Sequence, residues 1–198
     1  MLKSFRVNVQ VLNWVALAGI LLVGCGEIPE GETPEPAPDD EYYEFQQFIL
    51  SDYELPAVIA LPDETAKIGA SVKPEVIHNE SFKWEINVGP NFCMHIEDFG
   101  NDKGLVKGKK KKLGEQDIFK LKYMVDEENL IVYERILDVK GSSDAASSVG
   151  VEHKSYHVYA ERQIAGVTYI LESRQEGFEK RIINLMTKSI RSFREVEE

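Results

Sequence analysis

Apolar and polar residues alternate with a period of two, in pairs of segments spread over residues 82–171, and this leaves the chain little option but an antiparallel sheet. Phe82, Trp84, Ile86 and Val88 fall on one side of such a strand. Phe92, Met94 and Ile96 repeat the pattern beyond Gly89, Pro90 and Asn91, which spells a β-hairpin. Phe119, Leu121, Tyr123 and Val125 alternate up to a polar turn at Asp126, Glu127, Glu128 and Asn129, and the apolar run from Leu130 to Val139 supplies the returning strand. A third pair is predicted from Val151 to Ala160 and from Val167 to Leu171, joined near Gly166, with a further strand from Val58 to Leu61.

Near the C-terminus the period changes. Phe178, Ile182, Leu185, Met186, Ile190 and Phe193 recur at spacings of three and four among Lys180, Arg181, Lys188, Arg191 and Arg194, the mark of an amphipathic helix. Ser173 and Glu176 have capping-box spacing just ahead of it. A sheet with one apolar face needs a cover, so this helix is expected to pack on the sheet rather than lie on a membrane surface. The predicted fold is therefore α+β: about six or seven hairpin-connected antiparallel strands covered by a C-terminal helix. A lipocalin-like barrel is the alternative, and it would carry an apolar ligand inside. The closing segment, with Phe178, Ile182, Leu185, Ser189, Ile190, Ser192 and Phe193, is similar to the last helix of PsbP-like folds. That resemblance implies an architecture and a binding or assembly role, and no catalytic centre.

The first 44 residues are of another kind. Leu22, Val23, Gly24 and Cys25 end an apolar stretch that follows Lys3 and Arg6, and they resemble the lipobox of a bacterial lipoprotein. The strong apolar core runs only from Trp14 to Val23, short of the roughly 20 residues that cross a bilayer. The resemblance implies a signal peptide over residues 1–24, lipid on Cys25, and anchoring to a membrane, with the outer membrane as the expected address and its facing side open. After Cys25, Pro29, Pro34, Pro36 and Pro38 alternate with acids, a composition that favours an extended spacer. Residues 25–44 thus read as a tether and 45–198 as one globular domain.

Charge follows the same division. The chain has 34 acids and 23 bases, but eight of the acids and none of the bases lie between Glu27 and Glu44. The domain is close to balanced, so its charge suggests no nucleic-acid partner. An envelope protein or a glycan is the expected partner, with the membrane reached through the lipid.

Chemistry-bearing residues are sparse. His153 and His157, near Glu152, sit in a strand pattern that puts their backbones about 13 Å apart, too far to share an ion without a bend. His95 and Glu97 are two apart on one strand face and reach a common ligand more easily. A hydrolase or metal-dependent enzyme would need His95, Glu97, His153 and His157 to converge across strands. Cys93, the one thiol besides Cys25, has no nucleophile signature around it and reads as a small buried hydrophobe. The stretch from Gly141 to Gly150 reads as a loop and holds no serine elbow. Lys107 and Lys109 to Lys112 form the sharpest run of charge, either a solvated loop balanced by Glu115 and Asp117 or a contact for phosphate headgroups. The sequence assigns no catalytic, cofactor-binding or metal-ligating residue. A non-catalytic binding or assembly module is the first expectation, with an enzyme or a lipid or small-ligand carrier as alternatives.

Overall fold

Strand-forming residues dominate the chain from Phe45 onward, and their hydrogen-bond ladders set the architecture. A computed structural model describes residues 45–69, 73–137 and 153–196. The lipobox, Cys25, the tether, the loop from Gly141 to Gly150, and residues 138–139 and 151–152 of the predicted strands lie outside the described residues. The fold is α+β. In chain order the strands are β1 (Phe45–Ile49), β2 (Ala57–Pro62), β3 (Glu75–Glu80), β4 (Lys83–Val88), β5 (Phe92–Asp98), β6 (Phe119–Asp126), β7 (Leu130–Leu137), β8 (Lys154–Ile164), β9 (Val167–Ser173) and β10 (Arg194–Glu195). The helices are α1 (Leu105–Gly114) and α2 (Lys180–Ser192).

Seven strands form one antiparallel sheet in the order β3-β4-β5-β9-β8-β7-β6, and β1-β2-β10 form a second, smaller sheet. The predicted hairpins are β4–β5, β6–β7 and β8–β9, and the predicted helix is α2. Val88 faces Phe92, Ile86 faces Met94 and Trp84 faces Ile96 across the first hairpin, and all six side chains enter one core. Phe82 does not join them. It sits in the β3–β4 turn with φ of 70° and is 65% exposed, because the chain must reverse before Lys83. Ile182, Ile183, Leu185, Met186 and Ile190 of α2 and Ile59 and Leu61 of β2 cover that face of the large sheet.

Two local expectations change. Ser173 does not cap α2: it is buried at the end of β9, where its hydroxyl accepts from the Val158 amide, and Glu179 takes the N-cap position without a side-chain bond. The alternation in β6 is broken by a bulge between Tyr123 and Val125. Leu121 and Tyr123 therefore pack on one face of the sheet, while Met124 and Val125 pack on the other, as an inserted residue inverts the side-chain phase.

The larger correction is the lysine run, which is a helix and not a loop. It forms α1 on the sheet face opposite α2. Val106 and Leu113, seven residues apart and so on one stripe, pack on Ile131, Tyr133, Tyr159 and Ile170. The helix has no local cap. Instead the carboxylate of Glu161 on β8 accepts from the amides of Gly104 (3.2 Å) and Leu105 (2.7 Å), placing negative charge at the positive end of the helix dipole. Lys109 and Lys110 fold back to Glu172 and Asp126, not to Glu115 and Asp117. No helix among the described residues is long and apolar enough to cross a membrane.

Candidate functional site

Strand alternation that buries Phe92, Met94 and Ile96 sends Cys93, His95 and Glu97 to the α1 side of the sheet. The same rule places Ile170 and Glu172 of β9, His157 and Tyr159 of β8, and Tyr133 and Arg135 of β7 there. Helix α1 covers only part of this face. Among the described residues it leaves two depressions that share one wall, the Glu172–Gln175 segment.

One depression, of about 440 Å3, runs over β5 and is bounded by Lys83, His95, Glu97, Glu172, Arg174 and Glu176. The other, of about 310 Å3, lies beside α1 among Lys109, Lys112, Arg135, Arg174, Glu172 and His157. Its charge is strongly positive, since Glu172 is the one carboxylate on its wall among the described residues and is already bonded to Lys109 at 2.9 Å. Lys109 also lies 4.6 Å from the centre of the Tyr159 ring. Arg135 stacks on Phe119 at 3.9 Å, and its Nη1 donates to the Gln175 carbonyl at 3.2 Å. Its buried Nε has no acceptor among the described residues, and a buried donor without a partner costs about 1–3 kcal/mol.

His157 forms the floor of this second depression. It stacks on Tyr133 with centroids 5.1 Å apart, and Ser155 Oγ lies 2.9 Å from its Nε2. Burial, reinforced by the cations of Arg135 and Lys109, pushes its pKa down to about 4. The ring is neutral at physiological pH. Cys93 moves the opposite way, as burial and the nearby Glu85 carboxylate push the thiol up to about 11. A thiol held protonated is a poor nucleophile.

The four residues of the hydrolase reading are not gathered together. His95 pairs with Glu172, and Glu172 pairs with Tyr159, so His157 lies two strands away and two residues along, roughly 12 Å by strand geometry. His95 and Glu97 share the first depression, His157 belongs to the second, and His153 is exposed just ahead of β8. Trp84, Tyr133, Tyr159 and Tyr169 are buried and furnish core rather than a docking surface. Arg135, Arg174 and the Glu172–Gln175 wall were not singled out by the sequence. Arg135 lies within an apolar run and Arg174 next to a helix, and only strand pairing brings them to the lysines.

No family model matches this sequence, and no curated protein matches it. Among solved structures, the chain is similar to the Saccharomyces cerevisiae Ran-binding protein Mog1p at 10% sequence identity, covering 76% of this chain and 95% of that one, with a TM-score of 0.40.

Proposed function

We propose that this protein is a lipid-anchored lipoprotein of the bacterial envelope, held by Cys25 at the outer membrane, whose domain is a non-catalytic binding module for an anionic group of its partner. The binding role rests on one observation: the depression beside α1 collects the cations of Lys109, Lys112, Arg135 and Arg174 against the single carboxylate of Glu172 among its described lining residues. A carboxylate or phosphate of an envelope protein or glycan meets the ammonium and guanidinium charges of Lys112, Arg135 and Arg174 there. The likeness of the closing helix to PsbP-like folds is in keeping with a binding or assembly role. The lipid reading rests on the Leu22 to Cys25 motif and the proline-rich acidic stretch after it.

Two measurements test this. In a bacterial host, wild-type protein takes up a fatty-acid label and sediments with membranes, and Cys25→Ser loses the label and is released. Undiminished labelling of the variant overturns the anchor. For the pocket, pyrophosphate serves as the probe anion with the full-length protein. At about 100 times its dissociation constant it stabilises the wild type by about 2.7 kcal/mol, and Arg135→Gln loses most of that gain. An equal gain in both proteins, or none in either, overturns the anion site.

A further inference from the structure

A separate cluster on the same face, at the junction of β4 and β5, has a chemistry of its own. Cys93 and His95 are two apart on β5 and so project to one side, and Glu85 is the cross-strand partner of His95. Cys93 Sγ lies 3.9 Å from His95 Nε2, and His95 Nδ1 lies 3.8 Å from Glu85 Oε2. One donor atom from each of the three residues falls within 4.8 Å of the others. Asn87 Nδ2 donates to the other carboxylate oxygen, Glu85 Oε1, at 2.7 Å, which orients Oε2 towards the imidazole.

We propose that Glu85, Cys93 and His95 form a three-donor site for a divalent ion of the zinc class, with its fourth position open to solvent. Zinc bonds of about 2.0–2.3 Å at tetrahedral angles put neighbouring donors roughly 3.4–3.6 Å apart; one nitrogen of His95 serves the ion, and with the three donor atoms within 4.8 Å of one another the widest spacing closes by at most about 1.3 Å through side-chain rotation. A sulfur and an imidazole beside one carboxylate select a borderline ion, whereas calcium and magnesium take oxygen donors in greater number. As the metal–sulfur bond forms, the Sγ–H proton passes to solvent and the ion and thiolate form the bond without any change of oxidation state. Arg174 and Glu176 face the thiol with opposite charges that partly offset. Asn87 is a positioning residue here, holding the carboxylate as outer partners of metal ligands commonly do.

The test titrates Co2+ into full-length Cys25→Ser protein in detergent, which leaves Cys93 as the one thiol. Stoichiometric binding with a sulfur-to-cobalt charge-transfer band in the near ultraviolet is expected, with displacement by Zn2+. Cys93→Ser abolishes the band, His95→Ala weakens binding by about 100-fold, and Asn87→Ala by about 10-fold. The positions of His95 and Asn87 are half-exposed, so those variants keep the test valid if Cys93→Ser fails to fold. Absence of the band, its persistence in Cys93→Ser, or unchanged affinity in His95→Ala overturns the site and leaves a hydrogen-bonded surface cluster.

Discussion

Gly177→Ala is expected to destabilise the domain by about 2–5 kcal/mol. Gly177 has φ of +77°, and a Cβ there stands 2.7 Å from His157 Cε1 and Nε2 and 2.8 Å from the Tyr156 carbonyl oxygen. The left-handed conformation alone costs an L-residue about 1–2 kcal/mol, and forcing a methyl into packed surroundings costs about 1–3 more. Neither obstacle yields easily. Tyr156 and Phe178 exchange two main-chain hydrogen bonds of 3.0 Å, which fix the carbonyl, and the imidazole is clamped by Tyr133 and Ser155. Urea unfolding with an unchanged slope and a lowered midpoint is the signature. Pairing the change with His157→Ala relieves the ring part of the clash, so the two substitutions are expected to couple. A loss below about 1 kcal/mol means that the loop gives way. Because Arg174 and Gln175 just precede Gly177 and line both depressions, the variant is also expected to weaken the response to pyrophosphate.

Acid is expected to weaken the domain through His157. Its pKa is about 4 in the folded protein against the ordinary 6.5, so between those values the unfolded chain binds a proton that the native state refuses. Stability therefore falls as pH falls from about 6.5 towards 4, by about 2 kcal/mol at pH 5 and about 3 kcal/mol by pH 4. Above pH 7 the ring is neutral in both states and adds no pH dependence. The groups that face it are Arg135 on β7, Lys109 on α1 and, with opposite sign, Glu176. His157→Phe keeps a flat ring against Tyr133 and removes the proton site. Urea midpoints measured at pH 7 and pH 5 should differ by about 2 kcal/mol less in this variant. An equal difference in both proteins means that another group carries the slope.

Much of the large sheet was readable because its strands bury one face. Trp84, Ile86 and Val88 and their partners Phe92, Met94 and Ile96 show a period of two since every second residue meets the same core. Helix α2 was readable for the same reason at a different period. Helix α1 was hidden. Its buried stripe consists of little more than Val106 and Leu113, its lysines dominate the composition, and its cap comes from Glu161, 56 residues beyond Leu105. The face that carries the two depressions was hidden too. Its residues come from β4, β5, β7, β8, β9 and α1, and no local pattern links Arg135 to Lys109 or Glu85 to Cys93.

What the amino-acid sequence determines by itself is the set of local preferences: which segments are strands, where the closing helix begins its new period, and how charge is divided between the acidic stretch and the nearly balanced domain. These follow from steric and solvation forces that act within a few residues. Strand order is another matter, because β5 lies beside β9 rather than beside another sequence neighbour, and that placement depends on burying a shared core. The tertiary structure alone decides that α1 covers only part of its face, that Arg135 comes to stand among lysines, and that Glu85, Cys93 and His95 converge. Each of these requires side chains far apart in the chain to meet, and such meetings are settled by packing and pairing of whole elements rather than by any residue's own preference.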